Sequence, residues 1–225
     1  MKRIITWLVV IISLVLTVIW QLVFKEVNYY IICAVMLLLS TLPFFIRFEG
    51  EKTSAREISL IATLIALAVA SRAAFYLIPQ VKPIAAVVVI SAVCLGAEKG
   101  YLIGAFSAFV SNFLFGQGFW TPFQMAALGL VGLISGLIFK AVKPNRYSLS
   151  LVGFILSFAV YGFVTDISTV LMSLGGKPTL SGAIAIFSAG VPFSLVFGIT
   201  TAVFLFLFGE VFIKKIGRIQ IKYID

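Results

Sequence analysis

Apolar residues dominate long stretches of this chain, and short polar segments interrupt them at regular intervals. Each stretch approaches the roughly twenty apolar residues that a helix needs to cross a bilayer, so the pattern predicts eight membrane-spanning helices. We place these spans at residues 4–24, 29–48, 57–78, 84–98, 100–116, 122–142, 149–174 and 189–213. The chain is therefore predicted to be an all-α integral membrane protein.

A change in composition follows the polar segment 49–56. The two spans before it consist mostly of Ile, Leu, Val and Phe, whereas the later spans are rich in Ala, Gly and Ser, which let membrane helices pack closely. We predict an accessory N-terminal transmembrane hairpin over residues 1–48, a cytoplasmic linker over 49–56, a six-helix core over 57–213 and a basic cytoplasmic tail over 214–225.

The positive charges support this topology, because nearly all Lys and Arg residues fall in alternate loops. Both termini are then predicted to be cytoplasmic, and only Lys25, Lys82 and Lys177 lie on the outer side. Hydrophobic residues make up 62% of the chain and charged residues 11%. In a membrane protein the net charge of +9 indicates a basic fringe that faces anionic lipid, and not a nucleic-acid partner.

Small residues recur at helical spacing in the core. Ala62, Ala66 and Ala70 form one stripe, and two GxxxG spacings begin at Gly100 and Gly132. Such spacings are more often internal packing faces, and that interpretation applies to all three of them. A docking surface for another membrane protein is the alternative.

Three outer loops combine Gly or Pro with hydrogen-bonding side chains, which is typical of a lidded binding site. They span residues 79–83, 116–122 and 175–179. The candidate ligand contacts in and beside them are Tyr76, Gln80, Lys82, Gln117, Trp120, Thr121 and Lys177. Alternatively, Gly and Pro only form turns there, and Trp120 and Tyr76 belong to the interfacial aromatic belt.

Two charged residues, Arg72 and Asp166, fall inside the outer halves of predicted spans. A charge at that depth is costly unless it is paired or hydrated, which makes each residue a candidate for function. The two residues could form an ion pair that locks two helices together, or they could line a polar cavity. Asn112 and Gln124 could line the same cavity.

No catalytic or metal-binding motif is present. The chain has no His, its two cysteines Cys33 and Cys94 fall inside apolar spans, and it carries no phosphate-binding loop or nucleophile elbow. We predict that it is not an enzyme and that it holds no cofactor, metal or disulfide.

Several local sequences resemble the substrate-binding S components of energy-coupling factor (ECF) transporters, in particular the bacterial group that includes the cobalamin-specific member. These sequences are AREI at 55–58, SRAAF at 71–75, PQVKP at 79–83, SNF at 111–113 and GQGFWTPFQM at 116–125. The group commonly has Pro at the position of Phe119 and Trp at the position of Phe123.

The resemblance implies a subunit of the bacterial cell membrane that captures a vitamin from outside the cell. A transmembrane T component would dock on the stripe of Ala62, Ala66 and Ala70, and two cytoplasmic ATPases would supply the work. The family's lids correspond to the loops 79–83, 116–122 and 175–188.

Cobalamin is the expected cargo, since its many amides suit a pocket rich in Gln, Asn, Thr and Trp. Another vitamin or a queuosine precursor is the alternative cargo. Two other functions stay open: a stand-alone transporter that uses Asp166 as its titrating group, and a structural protein that binds nothing small.

Overall fold

The computed structural model describes residues 54–173 and 179–223, together with Ile12, and within these ranges every regular element is helical. The first four helices are α1 (Ala55–Ala74), α2 (Ile84–Leu95), α3 (Ala97–Phe115) and α4 (Thr121–Ala141). Helix α5 runs through Arg146–Ile155, a π-helical turn at Leu156–Tyr161, and Gly162–Ser173. Helix α6 runs through Leu180–Phe204, a second π-helical turn at Leu205–Gly209, and Glu210–Tyr223.

These six helices correspond to the six predicted core spans, with differences at the ends. Helix α2 ends at Leu95, earlier than predicted, because Gly96 takes a positive φ of 91° that breaks the helix. Apart from Ile12, the two predicted spans of the N-terminal hairpin lie outside the described residues, as does Lys177.

The start of α6 corrects the prediction that residues 175–188 form a lid and that the last span begins at 189. The helix begins at Leu180, because the side chain of Thr179 accepts a hydrogen bond from the backbone N–H of Gly182 and caps its first turn. Residues 180–188 are therefore helical. At its other end α6 continues through the predicted tail as far as Tyr223.

The helices are those of an integral membrane protein. Four of them are long and apolar enough to cross a bilayer, namely Ala55–Ala74, Thr121–Ala141, Arg146–Ser173 and Leu180–Lys222, and Ile84–Leu95 is a shorter apolar helix. Large apolar side chains such as Phe113, Phe163 and Leu207 are exposed on the bundle surface, which is where lipid would cover them.

Short connections make successive helices antiparallel. The segments 75–83 and 116–120 and residue Thr179 consequently lie at one end of the bundle, which we call the loop end. At the opposite end, ion pairs join Lys99 to Glu57 and Arg146 to Glu210. These pairs connect α1 to α3 and α5 to α6.

The two GxxxG motifs pack against each other between α3 and α4. A Cβ atom at Gly132 would lie 2.1 Å from the backbone oxygen of Gly100, and one at Gly104 would lie 2.2 Å from that of Leu128. Both motifs are therefore internal packing faces, as expected. That expectation is wrong for the alanine stripe, because Ala62, Ala66 and Ala70 are exposed on α1.

Candidate functional site

A cavity of about 370 Å³ lies in the loop-end half of the bundle, between the segment 75–83 and helices α4, α5 and α6. Its wall combines amides, hydroxyls, one carboxylate and aromatic rings. The lining residues are Gln80, Gln124, Tyr161, Thr165, Asp166, Thr169, Ile186, Ala189, Gly190, Phe193, Ser194 and Phe197. A volume of this size suits a small organic molecule.

Helices α5 and α6 contribute most of this wall from faces with helical spacing. On α5, Tyr161, Thr165 and Thr169 recur every four residues and therefore lie on one side of the helix. The hydroxyls of Thr165 and Thr169 donate to backbone carbonyls one turn earlier, so their oxygens remain able to accept a hydrogen bond from a ligand.

Close approach of α5 and α6 beside the cavity depends on two glycines. A Cβ at Gly162 would lie 2.5 Å from Oγ of Ser194, and a Cβ at Gly190 would lie 2.5 Å from Oδ2 of Asp166. Within the described part of the chain, no hydrogen bond or ion pair engages the carboxylate of Asp166. The carboxylate is therefore available to accept N–H or O–H groups from a molecule in the cavity.

Aromatic rings form the apolar part of the wall. The rings of Tyr161 and Phe197 lie 4.5 Å apart, and Phe193 is one helical turn from Phe197 on the same face of α6. Tyr161 is the last residue of the π-helical turn in α5, and such turns commonly mark functional sites because they reorient the residues around them. These rings offer stacking surface to a flat aromatic ligand.

A hydrogen-bonded network supports Gln124, which forms part of the cavity wall. The guanidinium of Arg72 donates from Nη1 to Oγ of Ser111 and, over 2.8 Å, to Oδ1 of Asn112, and it lies 4.2 Å from the ring centroid of Phe115. Nδ2 of Asn112 donates to Oε1 of Gln124 over 2.9 Å. The network therefore connects α1 to the cavity through α3 and α4.

The hypothesis of an Arg72–Asp166 ion pair is wrong. Arg72 bonds to the neutral acceptors Ser111 and Asn112, whereas Asp166 lines the cavity without an ion-pair partner among the described residues. A guanidinium can satisfy its donors with neutral oxygens and an aromatic face, so a carboxylate is not required.

Side-chain hydrogen bonds of Gln117 and Thr121 hold the segment 116–120 in place. Nε2 of Gln117 donates to the carbonyl of Phe109 over 3.0 Å, and its Oε1 accepts from Thr121 Oγ1 over 2.9 Å. The same hydroxyl accepts from the backbone N–H of Gly118 and from Nδ2 of Asn112. Through Asn112, these bonds connect the segment 116–120 to the network that reaches Gln124.

Lys82, Tyr76 and Trp120 lie outside the cavity wall. Nζ of Lys82 donates to the backbone carbonyls of Phe75 and Tyr76, where it caps the C-terminal end of α1. Burial and the nearby charge of Arg72 lower the pKa of Lys82. Tyr76 is 59% exposed against the ring of Phe115, and Trp120 is 37% exposed against Gly118.

The structure thus divides the residues that were predicted to contact substrate. Gln80, Gln124 and Asp166 line the cavity, Arg72, Asn112, Gln117 and Thr121 form the hydrogen-bonded support, and Tyr76, Lys82 and Trp120 lie elsewhere at the loop end. Apart from Asp166, sequence reasoning missed the contributions of α5 and α6, namely Tyr161, Thr165, Thr169, Phe193, Ser194 and Phe197. The four-residue recurrence of Tyr161, Thr165 and Thr169 beside Asp166 was the available signal.

Within the described ranges, no group of three or more His, Cys, Asp or Glu residues could hold a metal ion.

Comparison with known protein families gives a match that covers most of the chain. A family model described as ECF-type riboflavin transporter, S component, matches residues 52–215. This range contains all the residues that line the cavity. No curated protein and no solved structure matched the chain.

Proposed function

The chain belongs to the family of ECF-type riboflavin transporter S components, and we propose that it binds riboflavin, or a closely related flavin, in the cavity between α4, α5 and α6. The family match over residues 52–215 carries this proposal. ECF S components are non-enzymatic membrane subunits that work with a T component and ATPases, and the proposal gives this chain the same role.

The chemistry of the cavity supports a flavin ligand. Riboflavin joins a flat tricyclic ring to a hydroxylated chain, and its ring edge carries several acceptors and one N–H donor. Tyr161, Phe193 and Phe197 would pack on the flat ring, while Asp166, Thr165 and Thr169 would accept hydrogen bonds from hydroxyl or N–H groups. Gln80 and Gln124 supply amides that can meet the acceptors of the ring edge.

Cobalamin, the cargo expected from the sequence, receives no support from the family match. The size of the cavity also argues against it. A corrin ring with its amide side chains and nucleotide loop is several times larger than a flavin, and a cavity of about 370 Å³ lies near the lower end of the range for drug-sized ligands.

The proposed orientation follows from the same assignment. The loop end would face the cell exterior, both termini would be cytoplasmic, and the T component would dock on the exposed stripe of Ala62, Ala66 and Ala70. The ion pairs at the opposite end of the bundle, Lys99 with Glu57 and Arg146 with Glu210, would then face the cytoplasm.

Titration of the purified protein with riboflavin tests the proposal directly. Flavin fluorescence is quenched by stacking on aromatic residues, so saturable quenching with one ligand per chain is the expected result. Cobalamin, thiamine and biotin serve as competitors, and they should leave the riboflavin titration unchanged. Competition by cobalamin, or a flat riboflavin titration, would overturn the proposed cargo.

A matched pair of variants links binding to the cavity. Asp166→Asn removes the carboxylate in the cavity wall, whereas Glu98→Gln makes the same chemical change near the start of α3, at the opposite end of the bundle. We expect Asp166→Asn to weaken riboflavin binding by about tenfold, because a hydrogen bond to a charged acceptor contributes about 1.5–3 kcal/mol. Glu98→Gln should bind as the wild type does.

A further inference from the structure

The amide of Asn112 is fully buried, and each of its polar atoms has a partner. Its Oδ1 accepts from Nη1 of Arg72, and its Nδ2 donates to Oγ1 of Thr121 and to Oε1 of Gln124. A primary amide has two N–H donors, and both are engaged here. The orientation of this side chain is consequently determined by its neighbours and not by free rotation.

Arg72 determines which atoms donate and which accept in the hydrogen bonds from Arg72 to Asn112 and from Asn112 to Gln124. A guanidinium has donors and no acceptor, so the atom of Asn112 that faces it must be the carbonyl oxygen. The NH₂ group of Asn112 must then face Gln124, and the atom of Gln124 that receives it must be Oε1. Turning Asn112 over would set its NH₂ group against the half-buried guanidinium, and turning Gln124 over would set two NH₂ groups against each other.

The NH₂ group of Gln124 is the part of its amide that the network leaves unused. Gln124 is half-buried and lines the cavity, and within the described part of the chain Nε2 has no hydrogen-bond partner. We infer that Arg72, acting through Asn112, fixes the amide of Gln124 so that its N–H group faces the cavity and selects a ligand that places a hydrogen-bond acceptor against it. Arg72 and Asn112 are positioning residues, and Gln124 is the residue that contacts the ligand.

This inference deepens the proposed function and rests on it for the choice of riboflavin as the probe. The flavin ring edge carries two carbonyl oxygens and unprotonated ring nitrogens, any of which can accept from Gln124. A ligand that presents only N–H or O–H groups at this position would leave the amide donor unpaired, which a partly buried site strongly disfavours.

Riboflavin titrations of four variants test the inference at pH 8. Gln124→Glu replaces the donor by an ionised acceptor of the same shape and should weaken binding by at least about tenfold. Gln124→Met removes the amide without adding charge and should weaken binding less than Gln124→Glu does. Arg72→Met should weaken binding about tenfold, whereas Arg72→Lys retains a cationic donor and should restore most of the affinity.

A second measurement needs no ligand. No direct hydrogen bond joins Arg72 to Gln124, so their effects on stability can be coupled only through Asn112 and its neighbours. In the ligand-free protein, the melting temperature of the Arg72→Met/Gln124→Met double variant should depart from the sum of the single effects by more than about 2 °C.

The outcomes separate the inference from the proposed function. If the wild type binds riboflavin but Gln124→Glu binds it equally well, the inference is wrong and the proposed function stands. If the wild type does not bind riboflavin, the proposed function is wrong, and the melting experiment alone decides whether Arg72 positions Gln124. Additive melting temperatures would overturn that positioning role in either case.

Discussion

Gly190 lies directly against the carboxylate of Asp166, so that a Cβ atom at position 190 would be only 2.5 Å from Oδ2 and 2.6 Å from Oδ1. The absence of a side chain at this point allows α6 to pass close to the one carboxylate in the cavity wall. The position of Asp166 in the cavity therefore depends on a residue that offers a ligand no side chain of its own.

Gly190→Ala should disturb both stability and binding. The added methyl group must displace the carboxylate or separate α5 from α6, and overpacking of this kind costs about 1–3 kcal/mol. We expect a lower melting temperature and weaker riboflavin binding, measured by thermal unfolding in detergent and by fluorescence titration.

Gly217→Ala is the matched control, because a Cβ at position 217 of the same helix would meet nothing within 4 Å. Since Ala is favoured over Gly in a helix interior by about 1 kcal/mol, this variant should be as stable as the wild type or more so. Equal behaviour of the two variants would show that α6 can move away from Asp166 at little cost.

Arg72 and Asp166 should act independently. Arg72→Met leaves the buried polar atoms of Ser111 and Asn112 without their donor, which costs about 1–3 kcal/mol, while Asp166→Asn affects a group that has no ion-pair partner in the described structure. The free energy of unfolding of the double variant should equal the sum of the single effects within about 0.5 kcal/mol. Rescue of Arg72→Met by Asp166→Asn would instead indicate a charge pair.

Two aromatic residues at the loop end should respond differently to truncation. Phe193 is exposed but lines the cavity, whereas Trp120 packs on Gly118 outside the cavity wall. Phe193→Ala should weaken riboflavin binding at least tenfold, since aromatic anchors commonly contribute about 2 kcal/mol. Trp120→Ala should leave the affinity within about threefold of the wild type. A larger effect at Trp120 would mean that the segment 116–120 closes over the ligand.

Ala66→Leu tests the proposed docking of the T component on the exposed stripe of α1. The larger side chain would separate two helix backbones that must approach closely, and in lipid little offsets the lost contact. Riboflavin binding by the isolated subunit should persist, while co-purification of the T component and ATP-driven uptake should fall.

Ala185→Leu provides the control for this experiment, because Ala185 is exposed on α6 and does not line the cavity. It should support normal uptake. If both variants lower uptake in proportion to the amount of protein in the membrane, the alanine stripe has no docking role.

The six core helices could be predicted because hydropathy and length suffice to recognise a membrane helix. The start of α6 could not be predicted in this way, because Gly and Pro in the segment 175–178 resemble the beginning of a long loop. The capping hydroxyl of Thr179 and the apolar residues after it begin the helix much earlier. The composition predicted a loop over residues 180–188, whereas the cap at Thr179 starts a helix there.

The candidate site was predictable where its chemistry is unusual for a membrane. Asp166 and Gln124 stand out because carboxylates and amides are costly inside a membrane span, and Gln80 stands out as a hydrogen-bonding side chain in a loop with two Pro residues. Phe193 and Phe197 do not stand out, since an aromatic residue in a span is equally suited to lipid, to packing or to a ligand. For Arg72 the two predicted alternatives were an ion pair and a place in the cavity wall. Its partners are instead Ser111 and Asn112, and it does not line the cavity.

The π-helical turn at Leu156–Tyr161 separates α5 into two registers. A π turn adds a residue to the helix, which rotates everything beyond it by about 100° relative to an uninterrupted α-helix. In one half, Gly153 packs against Leu205 of α6, and in the other half Gly162 packs against Ser194 beside the cavity. The half of α5 after the turn carries the residues that line the cavity, and the half before it packs on α6 away from the cavity. A single substitution after the turn can therefore change the ligand contacts while the packing of Gly153 on Leu205 is kept. Loss of one residue from the turn would rotate Thr165, Asp166 and Thr169 away from the cavity together.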